Sequence, residues 1–178
     1  VSVFSFDPMK NMPSFGGGGM VLTDSKEIYD TVMSLRRHGT SGAHTYGYNS
    51  LISEDHANQL LLLLSKFDRL QNMREKVSKR YKKNIPEVQI ICPGPNTKSS
   101  NHKLVILTDR RDELKAYLKT KGIETKIHYA KTLDTKNIGS YPNAEKICAR
   151  ALSLPIYPHL EMKEVDYVCD RIKEFLYV

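Results

Sequence analysis

Four consecutive glycines, Gly16 to Gly19, lie between two short apolar runs, Val1-Ser2-Val3-Phe4-Ser5-Phe6 and Met20-Val21-Leu22. Glycine has no Cβ, so four in a row cost too much backbone entropy to lie inside a helix or a central strand. The chain must therefore loop here, and residues 1–23 are expected to form two buried strands joined by that loop. Lys10 stands in the loop, within Ser5-Phe6-Asp7-Pro8-Met9-Lys10-Asn11. Apolar surroundings penalise the charged form of an ammonium, and a lysine that adds to a carbonyl must be neutral part of the time. Glycines just downstream would let backbone pass close to a bulky planar ligand without side-chain collision. A surface lysine in a turn ahead of a flexible glycine linker is the alternative reading of the same residues.

The next segments read as helices. Residues 24–37 carry Asp24 and Ser25 as caps and Ile28, Val32 and Leu35 as an apolar stripe; His38-Gly39 ends the helix, with glycine suited to a left-handed position. Residues 40–50 are a Gly, Ser, Thr and Tyr loop. A single long helix is expected over residues 53–83, capped by Ser53 with Glu54 and Asp55 in its first turn, and stopped by Pro86. Leu60, Leu63, Leu64, Phe67 and Leu70 recur at the helical period, and the unbroken run Leu60 to Leu64 implies burial on several sides.

The remainder reads as a compact α+β unit. Residues 88–91, 103–107 and 123–129 have the branched apolar content of strands. Residues 109–121 form a helix with Leu114, Tyr117 and Leu118 on one face and Gly122 behind it. A short helix over 143–151 leads into an extended segment at 152–158. The last helix covers 163–176, with Val165, Val168, Cys169, Ile172, Phe175 and Leu176 on one face. This places a first domain at residues 1–52, an interdomain helix at 53–83 and a small C-terminal domain at 84–178.

The net charge of +7 favours anionic partners in general. Much of the excess lies between Arg69 and Lys83, where a solvated helix face accounts for it. No helix-turn-helix, zinc-finger or RNA-binding aromatic motif accompanies the charge, so nucleic acid ranks last among partners. No lysine followed by Ser or Thr follows the glycines, which excludes the usual P-loop. The three cysteines, Cys92, Cys148 and Cys169, include no CxxC pair and fit a reducing cytoplasm; Cys148 and Cys169 are expected in the core. No stretch approaches the roughly 20 apolar residues of a membrane-spanning helix. The chain begins on Val1 within a strand-like run and reads as a piece of something longer.

Four stretches, in order, resemble one family. They are Ser5-Phe6-Asp7-Pro8-Met9-Lys10-Asn11 through Gly18-Gly19-Met20-Val21-Leu22-Thr23; Leu35-Arg36-Arg37-His38-Gly39 with Gly47-Tyr48-Asn49-Ser50; Gly122-Ile123-Glu124-Thr125-Lys126-Ile127-His128-Tyr129; and Leu152-Ser153-Leu154-Pro155-Ile156-Tyr157-Pro158 with Glu164-Val165-Asp166-Tyr167-Val168. Together they are similar to the C-terminal half of the DegT/DnrJ/EryC1/StrS sugar aminotransferases, which use pyridoxal 5'-phosphate on the aspartate-aminotransferase fold. The resemblance implies an α/β fold: the end of a large cofactor domain followed by a small α+β domain. It implies that Lys10 forms the Schiff base with the cofactor and then shuttles a proton between substrate carbon and cofactor. It implies further that Asn49 looks across a homodimer interface to the neighbouring subunit's cofactor phosphate, and that His128 and Tyr129 lie near the sugar nucleotide. A turn asparagine and a structural strand-end histidine are the plain alternatives for Asn49 and His128.

Two departures stand out. Where the family carries an acidic residue in the glycine loop this chain has Gly17, and where it commonly carries arginine after the asparagine this chain has Leu51. The leading expectation is transamination of a nucleotide-linked keto sugar, with glutamate as donor, by an enzyme that needs an N-terminal half supplied as a separate chain or lost by cleavage. Retention of Lys10 favours this over the related sugar dehydratases, in which histidine replaces the lysine; such a pyridoxal phosphate-dependent dehydratase is the alternative within the same class. A half-domain that only binds a partner polypeptide is the alternative from another class.

Overall fold

A computed structural model of the chain describes residues 1–39, 46–134 and 139–177. It divides into two compact units, Val1–Asp68 and Arg69–Val178.

In the first unit β1 (Ser2–Ser5) pairs antiparallel with β2 (Gly19–Leu22), in the register Ser2↔Leu22 to Ser5↔Gly19. The two strands are as expected, but their side chains are largely exposed rather than buried: Val3 is 75% exposed and Phe4 47%. The physical reason is that β1 and β2 make a two-stranded sheet, and no further strand is hydrogen-bonded to it among the described residues. Ser25 caps α1 (Lys26–Leu35), its hydroxyl accepting from Ile28 N at 3.3 Å. The chain then turns through His38 and Gly39, both in the left-handed region at φ 61° and 74°. Ser53 likewise caps α2 (Glu54–Ser65), accepting from His56 N at 3.4 Å.

The single long helix is two. Lys66, at φ −107° and ψ 0°, leaves helical geometry and separates α2 from α3 (Phe67–Asn84). The leucine run is not buried on several sides either. Leu60 is buried, whereas Leu61, Leu62 and Leu64 are all more than half exposed.

The second unit is built on an antiparallel sheet of order β3-β4-β5: β3 (Gln89–Ile90), β4 (Leu104–Leu107) and β5 (Ala151–Leu154). Here two expectations exchange places. Among the described residues, the backbone of 123–129 pairs with the sheet as a single bridge at Lys126, whose N donates to Ser153 O at 3.1 Å while Ser153 N donates back at 2.9 Å. The ladder partner of β4 is instead the segment after α5 (Pro142–Arg150), expected only to be extended. Branched apolar content marks both segments, and pairing with β4 decides which becomes the strand.

Helices α3, α4 (Arg111–Thr120) and α6 (Met162–Leu176) supply the rest of the core. Val77 and Tyr81 of α3, Leu114 and Leu118 of α4, and Val165, Cys169 and Ile172 of α6 join Ile106 and Leu152 of the sheet in one cluster with little or no exposure. Gly122, at φ 74°, takes the left-handed position behind α4 that its sequence position predicts. Cys169 is a core residue and burial pushes its thiol up to about 12; Cys148 is only half-buried and Cys92 is exposed.

A polar clamp joins α3 to α6. Arg80 Nε and Nη2 donate to the two oxygens of Asp166, each at 2.7 Å, and Asn84 Nδ2 donates to Asp166 Oδ1 at 2.6 Å. These bonds, the Arg80 pair foremost, hold the Asp166 carboxyl below the usual carboxylate range. Among the described residues no helix is long and apolar enough to cross a membrane.

Two outcomes follow from this packing. Ile106→Ala deletes fully buried methyl groups at the centre of the sheet and is expected to cost about 2–5 kcal/mol in urea unfolding; an effect near zero would show that β4 is not the core strand. Because the folded-state pKa of Asp166 is depressed, its contribution to stability is present above the ordinary carboxylate pKa and is lost as pH falls through the depressed value. Asp166→Asn is therefore expected to flatten the acid limb of the stability profile below about pH 4, measured by thermal unfolding against pH.

Candidate active site

The segment between β1 and β2 is a closed loop with few options. Phe6 N donates to Gly18 O at 2.8 Å and Ser14 N donates to Phe6 O at 2.8 Å, so one residue pins both ends. Phe6 and Ser14 are buried beneath the loop at 5% and 1% exposure, and the Ser14 hydroxyl donates to Gly17 O. Asp7 organises the exposed rim: its Oδ1 accepts from Met9 N at 2.9 Å, and its carbonyl accepts from Lys10 N at 2.9 Å. Lys10 thus rides on a turn whose backbone is hydrogen-bonded while its side chain is exposed. Among the described residues of this unit, the apolar enclosure expected around its amine is not present.

Helix α2 grips the far end of the loop. Gln59 Oε1 accepts from Phe15 N at 3.0 Å across 44 residues of sequence. The His56 ring meets Phe15 edge-on, with centroids 6.5 Å apart. A Cβ at Gly16 would stand 2.5 Å from His56 Cε1, and one at Gly19 would stand 2.9 Å from Phe4 O, so close approach explains glycine at both positions. Gly17, at φ 83°, faces open space but holds a backbone conformation that disfavours other residues.

Asn49 lies in the same unit, exposed, on a strip that runs back along the end of α1. Tyr48 N donates to Leu35 O at 2.6 Å, His38 N to Tyr48 O at 3.1 Å and Ser50 N to Arg36 O at 3.1 Å, leaving Asn49 bridged to Arg37. Gly47 is required there, because a Cβ would collide with the backbone of His38 and Gly39. The first part of the loop, residues 40–45, lies outside the described residues.

A cleft of about 450 Å³ opens between the glycine run and the start of α2. Gly16 to Gly19, Arg36, Ser50, Leu51, Ile52, Ser53 and His56 line it. Both positions at which the sequence departs from the family pattern, Gly17 and Leu51, therefore face one space. Arg36, His56 and Gln59 were not singled out from sequence. Arg36 lay within a recognised stretch without a role, and nothing local in the α2 sequence signals contact with a loop 40 residues earlier.

His128 and Tyr129 belong to the second unit. His128 Nδ1 is 2.9 Å from Ser153 Oγ, and its Nε2 is buried with no hydrogen-bond partner. Burial first, then Lys103, Lys126 and His102, lower its pKa, which favours a neutral ring able to donate or accept at Nε2. Tyr129 is 74% exposed. Among the described residues no cluster of His, Cys, Asp and Glu could hold a metal ion.

Residues present here suit a planar phosphorylated cofactor in two respects: a lysine amine on a pinned turn, and a glycine run that lets backbone come close. The comparisons with known proteins agree. Residues 1–173 match the DegT/DnrJ/EryC1/StrS aminotransferase family. The chain is 32% identical over 189 residues to the dTDP-3-amino-3,4,6-trideoxy-alpha-D-glucose transaminase of Streptomyces venezuelae, covering 98% of this chain and 50% of that protein. It is 32% identical to the pleiotropic regulatory protein of Geobacillus stearothermophilus, covering 98% of this chain and 51% of that protein. Among solved structures, S. venezuelae DesV superposes with TM-score 0.90 at 32% identity, covering 97% of this chain and 50% of its own. An aminotransferase from Brucella abortus superposes with TM-score 0.89 at 29% identity, again covering 97% and 50%. The chain spans about half the length of the curated relatives it matches, and it belongs to the DegT/DnrJ/EryC1/StrS aminotransferase family.

Proposed function

We propose that this chain is the Lys10-bearing half of a pyridoxal 5'-phosphate-dependent aminotransferase acting on a nucleotide-linked keto sugar, with an amino acid such as glutamate as donor. The observation that carries this reading is Lys10 on a hydrogen-bonded turn, in a loop pinned by Phe6 and gripped by Gln59. When bound, the cofactor supplies an electron sink that stabilises negative charge at the substrate carbon. The Lys10 amine would then carry the proton to and from that carbon. Proton transfer requires the amine at hydrogen-bond distance from the carbon. A turn fixed through Asp7 and a loop fixed through Phe6 restrict where that amine can go.

The cofactor's phosphate is assigned to Asn49 of a neighbouring subunit in a homodimer, because Asn49 is exposed on a strip whose backbone is held to α1. His128 and Tyr129 are assigned to the sugar nucleotide: the first has an unpartnered buried Nε2, and the second has an exposed ring suited to stacking on a base or sugar. The remaining cofactor contacts are assigned to an N-terminal half, as a separate chain or a preceding segment. Exposed Val3, Phe4, Met20 and Leu22 on the two-stranded sheet, and Leu61, Leu62 and Leu64 on α2, give such a half apolar surface to cover. A reducing cytoplasm is the compartment that the free thiols of Cys92, Cys148 and Cys169 support. The transaminases among the relatives favour amine transfer.

The decisive test is borohydride trapping. The protein, together with the N-terminal half of its relatives' fold, is incubated with pyridoxal 5'-phosphate, reduced and mapped by peptide mass. A single adduct on Lys10, absent from Lys10→Ala, is the expected outcome. Adducts scattered over surface lysines, with none at Lys10, would refute the assignment. Gln59→Ala is expected to leave the fold intact while raising deuterium uptake in residues 11–19 and slowing adduct formation severalfold, since it frees the Phe15 amide.

A further inference from the structure

We propose that the cleft between the glycine run and α2 is a binding site for a phosphate group, with Arg36 as its cationic anchor. Three observations converge on it. The first is composition: of the residues that line the cleft, none is acidic, whereas Arg36 and His56 can both carry positive charge. The second is an unmet donor. Arg36 Nε is buried and has no hydrogen-bond partner among the described residues, a costly state for a guanidinium group that an oxyanion in the cleft would relieve. The third is shape. At about 450 Å³ the space exceeds what one water or ion fills, and its wall changes character from Ser50, Ser53 and Arg36 to Leu51 and Ile52. A phosphate carried on a carbon body matches that lining better than a free ion.

Glycine adds a further fit. Gly17 leaves open space where a side chain would project, so an anion can approach the backbone there. The nearest carboxylates on α2, Glu54 and Asp55, are exposed in its first turn and are not among the lining residues. They weaken the site's potential without occupying it. The inference concerns Arg36, Leu51 and His56, to which the proposed aminotransferase function gives no role; it draws on that function only for the identity of the natural ligand. A phosphomonoester and the diphosphate of a nucleotide-linked substrate share this chemistry.

The test measures binding without turnover, so it fails or succeeds independently of trapping at Lys10. Orthophosphate and pyrophosphate are titrated into the purified 178-residue chain by calorimetry at low and moderate salt. Saturable one-site binding is expected, weakened roughly tenfold or more in Arg36→Gln and partly restored in Arg36→Lys. Leu51→Glu places a carboxylate on the cleft wall at an exposed position and is expected to abolish binding with the melting temperature unchanged, so the result does not depend on Arg36→Gln folding. Lys76→Gln, on the basic helix face, is the control and is expected to bind as the unaltered chain does. Preference for orthophosphate identifies a phosphomonoester site and preference for pyrophosphate a diphosphate site. Absence of saturable binding, equal binding by Leu51→Glu, or a loss in Lys76→Gln equal to that in Arg36→Gln would overturn the proposal.

Discussion

Phe6 is the residue on which the geometry of the first unit depends. Its amide and its carbonyl are both used, one by Gly18 and the other by Ser14, and its ring is buried beneath the loop those bonds define. A thirteen-residue excursion between strands would ordinarily be free to sample many conformations, at an entropic cost that any bound ligand would have to meet. Pinning it at one residue divides it into a short exposed turn with Lys10 and a glycine segment against α2. The same bonds also fix the register of β1 with β2, since Ser5 already opposes Gly19. Strand pairing, lysine presentation and glycine approach are thus consequences of one local constraint rather than three separate designs.

How much of this the sequence discloses depends on the range of the interactions. Elements with a strong local period were legible to within two residues: the last helix, expected at 163–176, is Met162–Leu176, and α4 is Arg111–Thr120 within the expected 109–121. Caps were legible as well, because Ser25 and Ser53 act on amides three residues away. The third strand was not, since residues 123–129 and Ala151–Leu154 carry similar apolar content and only pairing with β4 separates them. The break at Lys66 has no glycine or proline to announce it. Exposure of Leu61, Leu62 and Leu64 shows the remaining gap: a hydrophobic pattern records that a face is suited to burial, not what buries it.

The candidate site divides in the same way. Lys10 and the glycines announce themselves by residue type and spacing, and family resemblance adds Asn49, His128 and Tyr129. The groups that steady the loop, His56 and Gln59, are separated from it by 40 residues or more and look like ordinary helix residues in sequence. Their contact with Phe15 and Gly16 exists only after folding.

Gly17 and Leu51 bear on one another through the cleft they share. The family resemblance implies an acidic residue at one position and arginine at the other, and the chain carries neither. Two departures that lie far apart in sequence thus meet, in space, on one open and partly apolar wall. Among the residues that line the cleft Arg36 is the one side chain with a permanent charge, and no carboxylate lines it beside Arg36. An anion that enters therefore meets a cation without first displacing a built-in counter-charge, which is the electrostatic condition for binding a ligand rather than closing an internal ion pair.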